Sequence, residues 1–361
     1  MGTVAAAQIQ HQAKGLQTAT ANSDGMRRRL IRSCGKKLVH AATVTTRGGR
    51  HKIVCARQTK AMSSGSKIFD RSLLRMRQQR ARLLGPETFL LDHVADELAE
   101  RLSAVLHSFD IAVDLGTPTD AVRRALAATG KITTIIAAEF ATGFDRSFLR
   151  VGADEEALPF ADSSLDLVTS ALAFQFVNDL PGSLIQIRRA LKPDGLLLAA
   201  LVGGESLAEL GEAVGAAESE IEGGISPHVA PFADVREIGA LLQRAGFALP
   251  VVDSERLVVR YDSVFALVRD LRRMGATNIL HERRRKPLRR ATLKRATEIY
   301  IERFSDPDGR LRASFEIVWL SGWAPHESQQ QPLKPGSAAQ RLADALGTVE
   351  ISTGEKLERS R

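Results

Sequence analysis

The sequence predicts a doubly wound α/β domain, in which helices cover both faces of a mostly parallel sheet and one antiparallel strand lies at an edge. Between residues 109 and 325, short and almost continuously apolar segments alternate with amphipathic ones. Such strands are typical of a parallel sheet that is buried on both faces. Two later apolar segments, 248–260 and 311–320, flank a helical insert at about 262–304. Their hairpin-like order predicts the antiparallel edge.

The individual elements are predicted from the period of the apolar residues and from Gly and Pro at their ends. Two amphipathic helices, 66–84 and 87–108, precede the sheet and are separated by Gly85-Pro86. The predicted elements that follow are strand 111–115, helix 118–129, strands 132–139, 149–154 and 166–172, helix 181–191, strand 196–202, and helices 205–220 and 233–245. The predicted organisation is a leader (1–61), N-terminal helices (62–108), the α/β domain (109–325) and a polar tail (326–361).

Positive charge is concentrated at the start of the chain. Residues 1–61 hold 12 Lys and Arg residues and a single acid, Asp24, whereas the rest of the chain holds 38 basic and 41 acidic residues. The domain itself is therefore not basic, and we predict no nucleic-acid partner. Both cysteines, Cys34 and Cys55, lie in the leader, so the domain is not expected to contain a disulfide framework or a thiolate metal site. No apolar run reaches the roughly 18 residues that a transmembrane helix needs.

Three interpretations of the leader are open. Its acid-poor composition, rich in Ala, Thr and Arg, suits an organellar targeting segment. It also suits a disordered basic tail, and Met62 could instead be the true start of the protein. We favour the last two. The predicted location is then the cytoplasm of a bacterium, in line with the preference for Arg over Lys, whereas a targeting segment predicts the mitochondrial matrix.

Polar side chains stand at the ends of four successive predicted strands. Asp114 ends the first, Glu139 the second, and Asp154 the third, where Glu155 follows it. Ser170 opens a polar stretch at the end of the fourth. Ligands of doubly wound sheets bind outside the carboxyl ends of the strands, and an acid at about the distance of Glu139 often binds a ribose. Each acid alone could be a helix cap or a solvated loop residue, but together the five residues predict a cofactor site.

Motifs in these segments resemble the class I S-adenosylmethionine-dependent methyltransferases. The strand-end segments concerned are VDLG, ADEEALPF and SLDLVTS. The malonyl-carrier-protein methyltransferase of biotin synthesis is similar in the segment FQFVNDLPGSLIQIRRALKPDG. The family of the mitochondrial respiratory complex I assembly factor 5 and its bacterial relatives is similar in APFADVREIGALLQRAGF, RDLRRMGATN and GWAPHESQQQPLKPGSA. The resemblance covers about residues 66–338.

This resemblance implies a Rossmann-like sheet with one reversed strand and S-adenosylmethionine as the cofactor. It implies that Asp114 and Gly116 face the methionyl end of the cofactor. Glu139 would hold the ribose and Asp154 the adenine amine, with Glu155 beside the ring. It also implies a protein client, which in this family is a subunit of respiratory complex I.

The loop after Gly116 departs from the family pattern. Further glycines usually bring backbone N–H groups close to the cofactor, but this chain has Thr117-Pro118-Thr119-Asp120. We predict that Thr117 is the N-cap of the next helix, Pro118 its first residue and Asp120 its third. A lost donor and a nearby carboxylate would weaken cofactor binding by roughly ten- to a thousandfold.

No side chain stands out as a general base. His228, His281 and His326 are the histidines nearest the predicted mouth and insert, and a lone histidine is more often structural. Methyl transfer depends largely on alignment of the nucleophile with the methyl group. The sequence contains no metal-binding motif and no iron triad. The basic segment 281–290 and the arginine-rich face of 66–84 are each either solvated surfaces or docking sites for a partner.

Three functions are compatible with these observations. The favoured one is an S-adenosylmethionine-dependent methyltransferase that acts on a protein or carrier-linked substrate. The second is an arginine hydroxylase of a complex I subunit, an activity that only the family resemblance implies. The third is a non-enzymatic assembly factor whose cofactor loop has degenerated.

Overall fold

The computed structural model describes residues 41–46, 49–54, 67–140, 148–330 and 342–349. The predictions for the rest of the leader, a start at Met62 included, and for most of the tail lie outside these residues. The chain divides into two compact units, Met1–Pro325 and His326–Arg361. In the leader, β1 (Ala41–Thr46) and β2 (Gly49–Val54) form an antiparallel hairpin that its composition did not predict.

The other elements follow the predicted order along the chain. They are α1 (Arg71–Leu84), α2 (Phe89–Ala104), β3 (Phe109–Leu115), α3 (Ala121–Ala128), β4 (Ile132–Glu139), β5 (Leu149–Gly152), β6 (Leu165–Ala171), α4 (Leu180–Ala190), β7 (Leu191–Gly203), α5 (Ala208–Glu222), α6 (Val235–Ala245), β8 (Ala248–Tyr261), α7 (Val264–Arg273), α8 (Arg290–Phe304), β9 (Leu311–Trp323) and, in the second unit, α9 (Leu342–Leu346). The helical insert is thus a pair of helices, α7 and α8. Within the described part of the chain, no helix is both long and apolar enough to cross a membrane.

Seven of the strands form one sheet in the order β5-β4-β3-β6-β7-β9-β8. Neighbours from β5 to β7 are parallel, whereas β9 runs antiparallel to both β7 and β8. The predicted fold class is confirmed, and the reversed strand lies one position in from the edge that β8 forms. The strand order changes direction between β3 and β6, which is where ligands of such sheets bind.

Helices pack on both faces of the sheet, and successive residues of a strand alternate between the two layers. In β3, Ala112 packs with side chains of α2, α3, α5, α7 and α8. Its neighbours Ile111 and Val113 pack on the other face, with side chains of α4 and α6. Strands that are buried on both faces need apolar residues at both alternating positions, which explains the continuous apolar segments in the sequence.

Candidate functional site

The predicted acids lie at the carboxyl ends of adjacent strands. Asp114 is the next-to-last residue of β3, and its register partners in β4 and β6 are Ala137 and Thr169. Glu139 ends β4, and Asp154 follows the end of β5 by two residues. The parallel register therefore brings these carboxylates to one edge of the sheet. Their roles towards a cofactor stay predictions.

Two arginines join three acids at the centre of this edge. The Nη1 of Arg123 donates to Asp114 Oδ2 at 2.5 Å, and its Nε donates to Asp120 Oδ1 at 2.7 Å. Arg123 Nη2 also lies 3.2 Å from Glu139 Oε1. From β5, Arg150 donates to Glu139 Oε1 at 2.6 Å and to Asp120 Oδ1 at 3.1 Å. We call these five residues the inner cluster, and its acids and Arg123 are all buried.

Asp114 is fully buried, and both of its carboxylate oxygens have partners within the protein. Its Oδ1 accepts from the hydroxyl of Thr117 and, at 3.5 Å, from that of Thr169, while Oδ2 accepts from Arg123. Burial raises the pKa of Asp114 to about 6, because the loss of water outweighs the opposing charge of Arg123. Both oxygens of this carboxylate are therefore already hydrogen-bonded within the protein.

The predicted start of α3 is wrong. The helix begins at Ala121, so Asp120 is its N-cap residue, and Thr117 and Pro118 precede the helix. The Asp120 side chain accepts no capping bond from a backbone N–H. It binds Arg123 instead, because a charge-assisted hydrogen bond is stronger than a bond to a neutral amide.

Thr117 supports the loop from within the sheet. It is fully buried, and its hydroxyl donates to Asp114 and accepts from the N–H of Ala171 at 3.1 Å. Gly116 has a φ of +72°, which glycine adopts without strain. A Cβ at Gly116 would lie 2.5 Å from Glu155 Oε1, so the Glu155 carboxylate rests against the bare backbone of the loop.

The end of β6 adds two further features. Ser170 is buried, and its hydroxyl donates to the carbonyl oxygen of Leu115 at 2.8 Å. Its side chain thus braces the end of β3. Leu172, just past the strand, has a φ of +53°. This conformation is costly for a residue with a side chain and is often found near functional sites.

Helix α1 lies along the outer side of the same acids. Arg71 Nη1 is 3.0 Å from Asp154 Oδ1, and Arg71 also pairs with Glu155. Arg75 donates to Asp154 at 2.5 Å, and Arg82 lies 3.4 Å from Glu139. We call Arg71, Arg75 and Arg82 the outer row. This arginine face was predicted to be either a solvated surface or a docking site for a partner, but in the structure it binds acids of the same chain.

A cavity of about 380 Å³ opens beside the loop. Most of its lining is apolar, and the helices α1, α2, α5, α7 and α8 contribute to it together with the loops around residues 228–232 and 274–280. On the side of the acids it is lined by Pro118, Thr119, Leu172 and Gln175. The Gln175 amide donates to the carbonyl of Leu172 at 2.8 Å, while its Oε1 is buried without a partner. We call this cavity the chamber.

The three candidate histidines occupy different settings. His228 lines the chamber and lies 3.1 Å from Glu218, whose side chain is buried. His281 is exposed, and His326 belongs to the second unit, where its Nδ1 lies 2.6 Å from Ser328 Oγ. Among the residues that the structure describes, no group of three or more His, Cys, Asp or Glu side chains is placed to hold a metal ion.

The basic segment 281–290 has arginines that turn inward and basic residues that face solvent. Arg284 pairs with Glu222 at 2.5 Å and with Glu218 at 3.2 Å, and Arg283 lies 3.3 Å from Asp70. The exposed basic residues of the segment are Arg285, Lys286, Arg289 and Arg290. The two inward arginines therefore hold the insert to the domain, which neither the loop nor the docking interpretation predicted.

Comparison with known proteins places this arrangement in a family. Residues 113–199, from β3 into β7, match the model of a methyltransferase domain. The mitochondrial arginine-hydroxylase NDUFAF5 of Rattus norvegicus is 35% identical over 344 residues, which span 92% of this chain and 100% of that protein. The chain belongs to the NDUFAF5 family. NDUFAF5 of Homo sapiens is 39% identical over 291 residues, covering 78% of this chain and 84% of that protein.

This chain is also similar to a methyltransferase that is named for an acyl-carrier-protein substrate. The malonyl-[acyl-carrier protein] O-methyltransferase of Laribacter hongkongensis is 40% identical to this chain over 193 residues, covering 54% of this chain and 62% of that protein. The relation to class I methyltransferases and to the NDUFAF5 family that the motifs predicted is confirmed.

The side chains at the acidic edge suit S-adenosylmethionine chemically. Carboxylates accept hydrogen bonds from ribose hydroxyls, from an adenine amine and from an ammonium group. In this member of the NDUFAF5 family, however, Asp114, Glu139 and Asp154 each pair with an arginine of the same chain. A ligand group that binds one of these acids must therefore take the place of an arginine.

Proposed function

We propose that this protein is an S-adenosylmethionine-dependent methyltransferase that acts on a protein or carrier-linked substrate in the assembly of respiratory complex I. The observation that carries the proposal is the row of acids at the ends of β3, β4 and β5, most of it within the stretch that matches a methyltransferase domain. Membership of the NDUFAF5 family supports the link to complex I. The proposed location is the bacterial cytoplasm, or the mitochondrial matrix if the leader is a targeting segment.

Each acid at this edge binds a different part of the cofactor. In this proposal Glu139 accepts hydrogen bonds from the two ribose hydroxyls, and Asp154 accepts one from the adenine amine. Glu155 lies beside the ring. When bound, the cofactor supplies an electrophilic methyl group on a sulfonium.

The chamber holds the acceptor in this proposal. Pro118 and Thr119 of the loop line it, so the acidic edge and the chamber share a wall. Its apolar side chains exclude water and hold the acceptor in line with the methyl group, which is the main requirement of such a transfer. The unpartnered Oε1 of Gln175 accepts a hydrogen bond from an N–H or O–H of the acceptor and orients it.

Calorimetric titration of the full chain with S-adenosylmethionine and with S-adenosylhomocysteine tests the proposal. We expect both ligands to bind. Glu139→Gln should weaken them about tenfold or more, which is about 1.4 kcal/mol, because an amide cannot accept from both ribose hydroxyls as a carboxylate does. Glu282→Gln, in the exposed part of the insert, is the matched control. No binding of either ligand at millimolar concentration would refute the proposal.

Arginine hydroxylation is a second candidate. The relatives that align with almost the whole chain are named arginine hydroxylases. The outer row also shows that the acids at this edge accept guanidinium groups, so they could accept that of a client arginine. Mass spectrometry of complex I subunits from cells with and without the protein separates the candidates, because methyl and hydroxyl groups differ in mass. Subunits that are unmodified in both cells would favour a non-enzymatic assembly factor.

A further inference from the structure

We infer that Arg123 takes the place of the cofactor's ammonium group at Asp114, so that this cleft recognises S-adenosylmethionine and related nucleosides by their adenosine end. The inference rests on the proposed function and adds a specificity to it. In a glycine-loop site of this family, the resemblance assigns Asp114 and Gly116 to the methionyl end. In this chain the residues around Asp114 are hydrogen-bonded and ion-paired with one another.

Both carboxylate oxygens of Asp114 are hydrogen-bonded to groups of this chain. Thr117 and Thr169 donate to one of its oxygens and Arg123 to the other, and no part of the residue is exposed. An ammonium group could reach this carboxylate only by displacing Arg123. The displaced guanidinium is itself only 1% exposed, so it cannot move into water without a rearrangement of α3.

The loop also offers little to the carboxylate of the cofactor's amino-acid end. Pro118 has no N–H to donate to it. The side chain of Thr117 is turned inward, and Asp120 places a negative charge at the start of α3. Pro118 and the Thr117 side chain therefore cannot donate to this carboxylate, and the charge of Asp120 repels it.

The adenosine end is different, because one oxygen of each of its acids is held by an arginine that water can reach. Arg75 binds Oδ2 of Asp154 and Arg82 binds Oε2 of Glu139, and the side chains of these arginines are 27% and 37% exposed, against 1% for Arg123. Arg75 and Arg82 can therefore leave these oxygens and remain solvated, while Oε1 of Glu139 keeps its partners in the inner cluster. A nucleoside can replace Arg75 and Arg82, but an ammonium group cannot replace Arg123.

The departures from the glycine loop also form one connected set. Thr117 donates to Asp114, and Asp120 and Asp114 both accept from Arg123. Loss of one member would leave the others unpaired. The loop has therefore been replaced by an internal ion-pair network and has not merely lost its glycines.

Titration of the full chain with two nucleosides tests the inference. S-adenosylhomocysteine carries the amino-acid end, and 5′-methylthioadenosine lacks it. We expect their dissociation constants to agree within about threefold. S-adenosylhomocysteine binding more than about tenfold tighter would overturn the inference and leave the proposed function standing. If neither nucleoside bound, the proposed function would fall, and the inference with it.

A pair of neighbouring variants tests the role of Arg123 itself. Arg123→Met should free Asp114 and tighten the binding of S-adenosylhomocysteine about tenfold relative to that of 5′-methylthioadenosine, because only the first ligand carries an ammonium group for Asp114. The exposed neighbour Arg124 provides the control, Arg124→Met, which should change neither. A folded Arg123→Met protein with unchanged preference would overturn the inference. The wild-type comparison of the two nucleosides does not depend on whether this variant folds.

Discussion

Arg123 and its acids show at the level of single residues why the acidic edge has one stable arrangement. A buried charge is tolerated only when its partners are complete, and removal of one partner exposes the full cost of burying the others. Arg123 contacts Asp114, Asp120 and Glu139 at once. Each of the three carboxylates would lose a partner if Arg123 were removed.

We therefore expect Arg123→Ala to lower the free energy of unfolding by about 3–5 kcal/mol. Arg124→Ala, on the exposed side of the same helix, should change it by less than about 0.5 kcal/mol. Urea unfolding followed by circular dichroism measures both values. Equal effects of the two substitutions would show that the inner cluster does not stabilise the fold.

Asp114 should give the protein a distinctive pH dependence. Its pKa is about 6 in the folded protein and 3.8 when free of the fold, so the folded state binds its proton more tightly between these values. The contribution of Asp114 to stability is therefore present at low pH and is lost as the pH rises through about 6. The difference in unfolding free energy between wild type and Asp114→Asn should fall by roughly 1–3 kcal/mol from pH 4 to pH 6. Above pH 7 this difference in unfolding free energy should no longer change with pH.

Glu218 provides a control of opposite sign. Burial alone would raise its pKa, but the N–H of Ser226 together with His228 and Arg284 holds the pKa below its usual 4.5. Its contribution is present above pH 4.5 and is lost as the pH falls below it. The stability contribution of each acid is the difference in unfolding free energy between wild type and its amide variant, Asp114→Asn or Glu218→Gln. If these two contributions changed in the same direction with pH, the opposite pKa shifts of the two acids would be contradicted.

The sequence could locate the acids of the site but not their partners. Asp114, Glu139 and Asp154 follow apolar strands, and the parallel register brings strand ends together whatever the side chains do. Arg123 is the third residue of α3, and an arginine on a short helix normally faces solvent. Its inward orientation depends on acids that come from other strands, and no local pattern contains this information.

At the level of elements, α1 is the part of the site whose role the sequence left open. The residues of its outer row are 71, 75 and 82, a spacing of four and then seven that places them on one face of a helix. This spacing is the signal that could have paired the helix with the acidic edge. Phe69 and Leu74 hold α1 against Ile279 and Leu280 in a small apolar cluster apart from the two main layers.

We expect the outer row to compete with the nucleoside for the acids. The double substitution Arg71→Gln/Arg75→Gln should tighten 5′-methylthioadenosine binding by about tenfold, because Asp154 and Glu155 would no longer need to be released. Arg80→Gln, at an exposed position of the same helix, should leave the affinity unchanged. Weaker binding by the double variant would mean that these arginines hold the ligand and do not compete with it.

Other elements show where sequence patterns suffice. β4 begins and ends where predicted, at 132 and 139, since Gly130 precedes its continuous apolar segment and the charged Glu139 closes it. α3 begins three residues later than predicted. Thr-Pro-Thr-Asp is a favourable helix start in isolation. In the fold, however, the side chains of Thr117 and Asp120 bind Asp114 and Arg123 and do not cap the helix.

At the scale of the whole molecule, the two faces of the sheet are expected to respond differently to a ligand. The acids, the loop and α1 meet at the carboxyl edge, and the chamber lies among α1, α2 and the insert. Helix α6 packs on the opposite face, where Ile238 and Leu242 join the layer of α4. Ligand binding should therefore loosen α1 locally while it stabilises the folded state as a whole.

Hydrogen exchange with and without 5′-methylthioadenosine tests this expectation. At a hundred times the dissociation constant, binding should stabilise the folded state by about 2.7 kcal/mol. Amides of α6 that exchange only by global unfolding should slow accordingly. Amides of α1 should exchange faster, since Arg71 and Arg75 lose their acids.

In Arg71→Gln/Arg75→Gln the ligand should leave α1 exchange almost unchanged, because the helix is already released. Slower exchange of wild-type α1 with ligand would show that the helix closes over the nucleoside. The prediction that the outer row competes with the ligand would then be wrong.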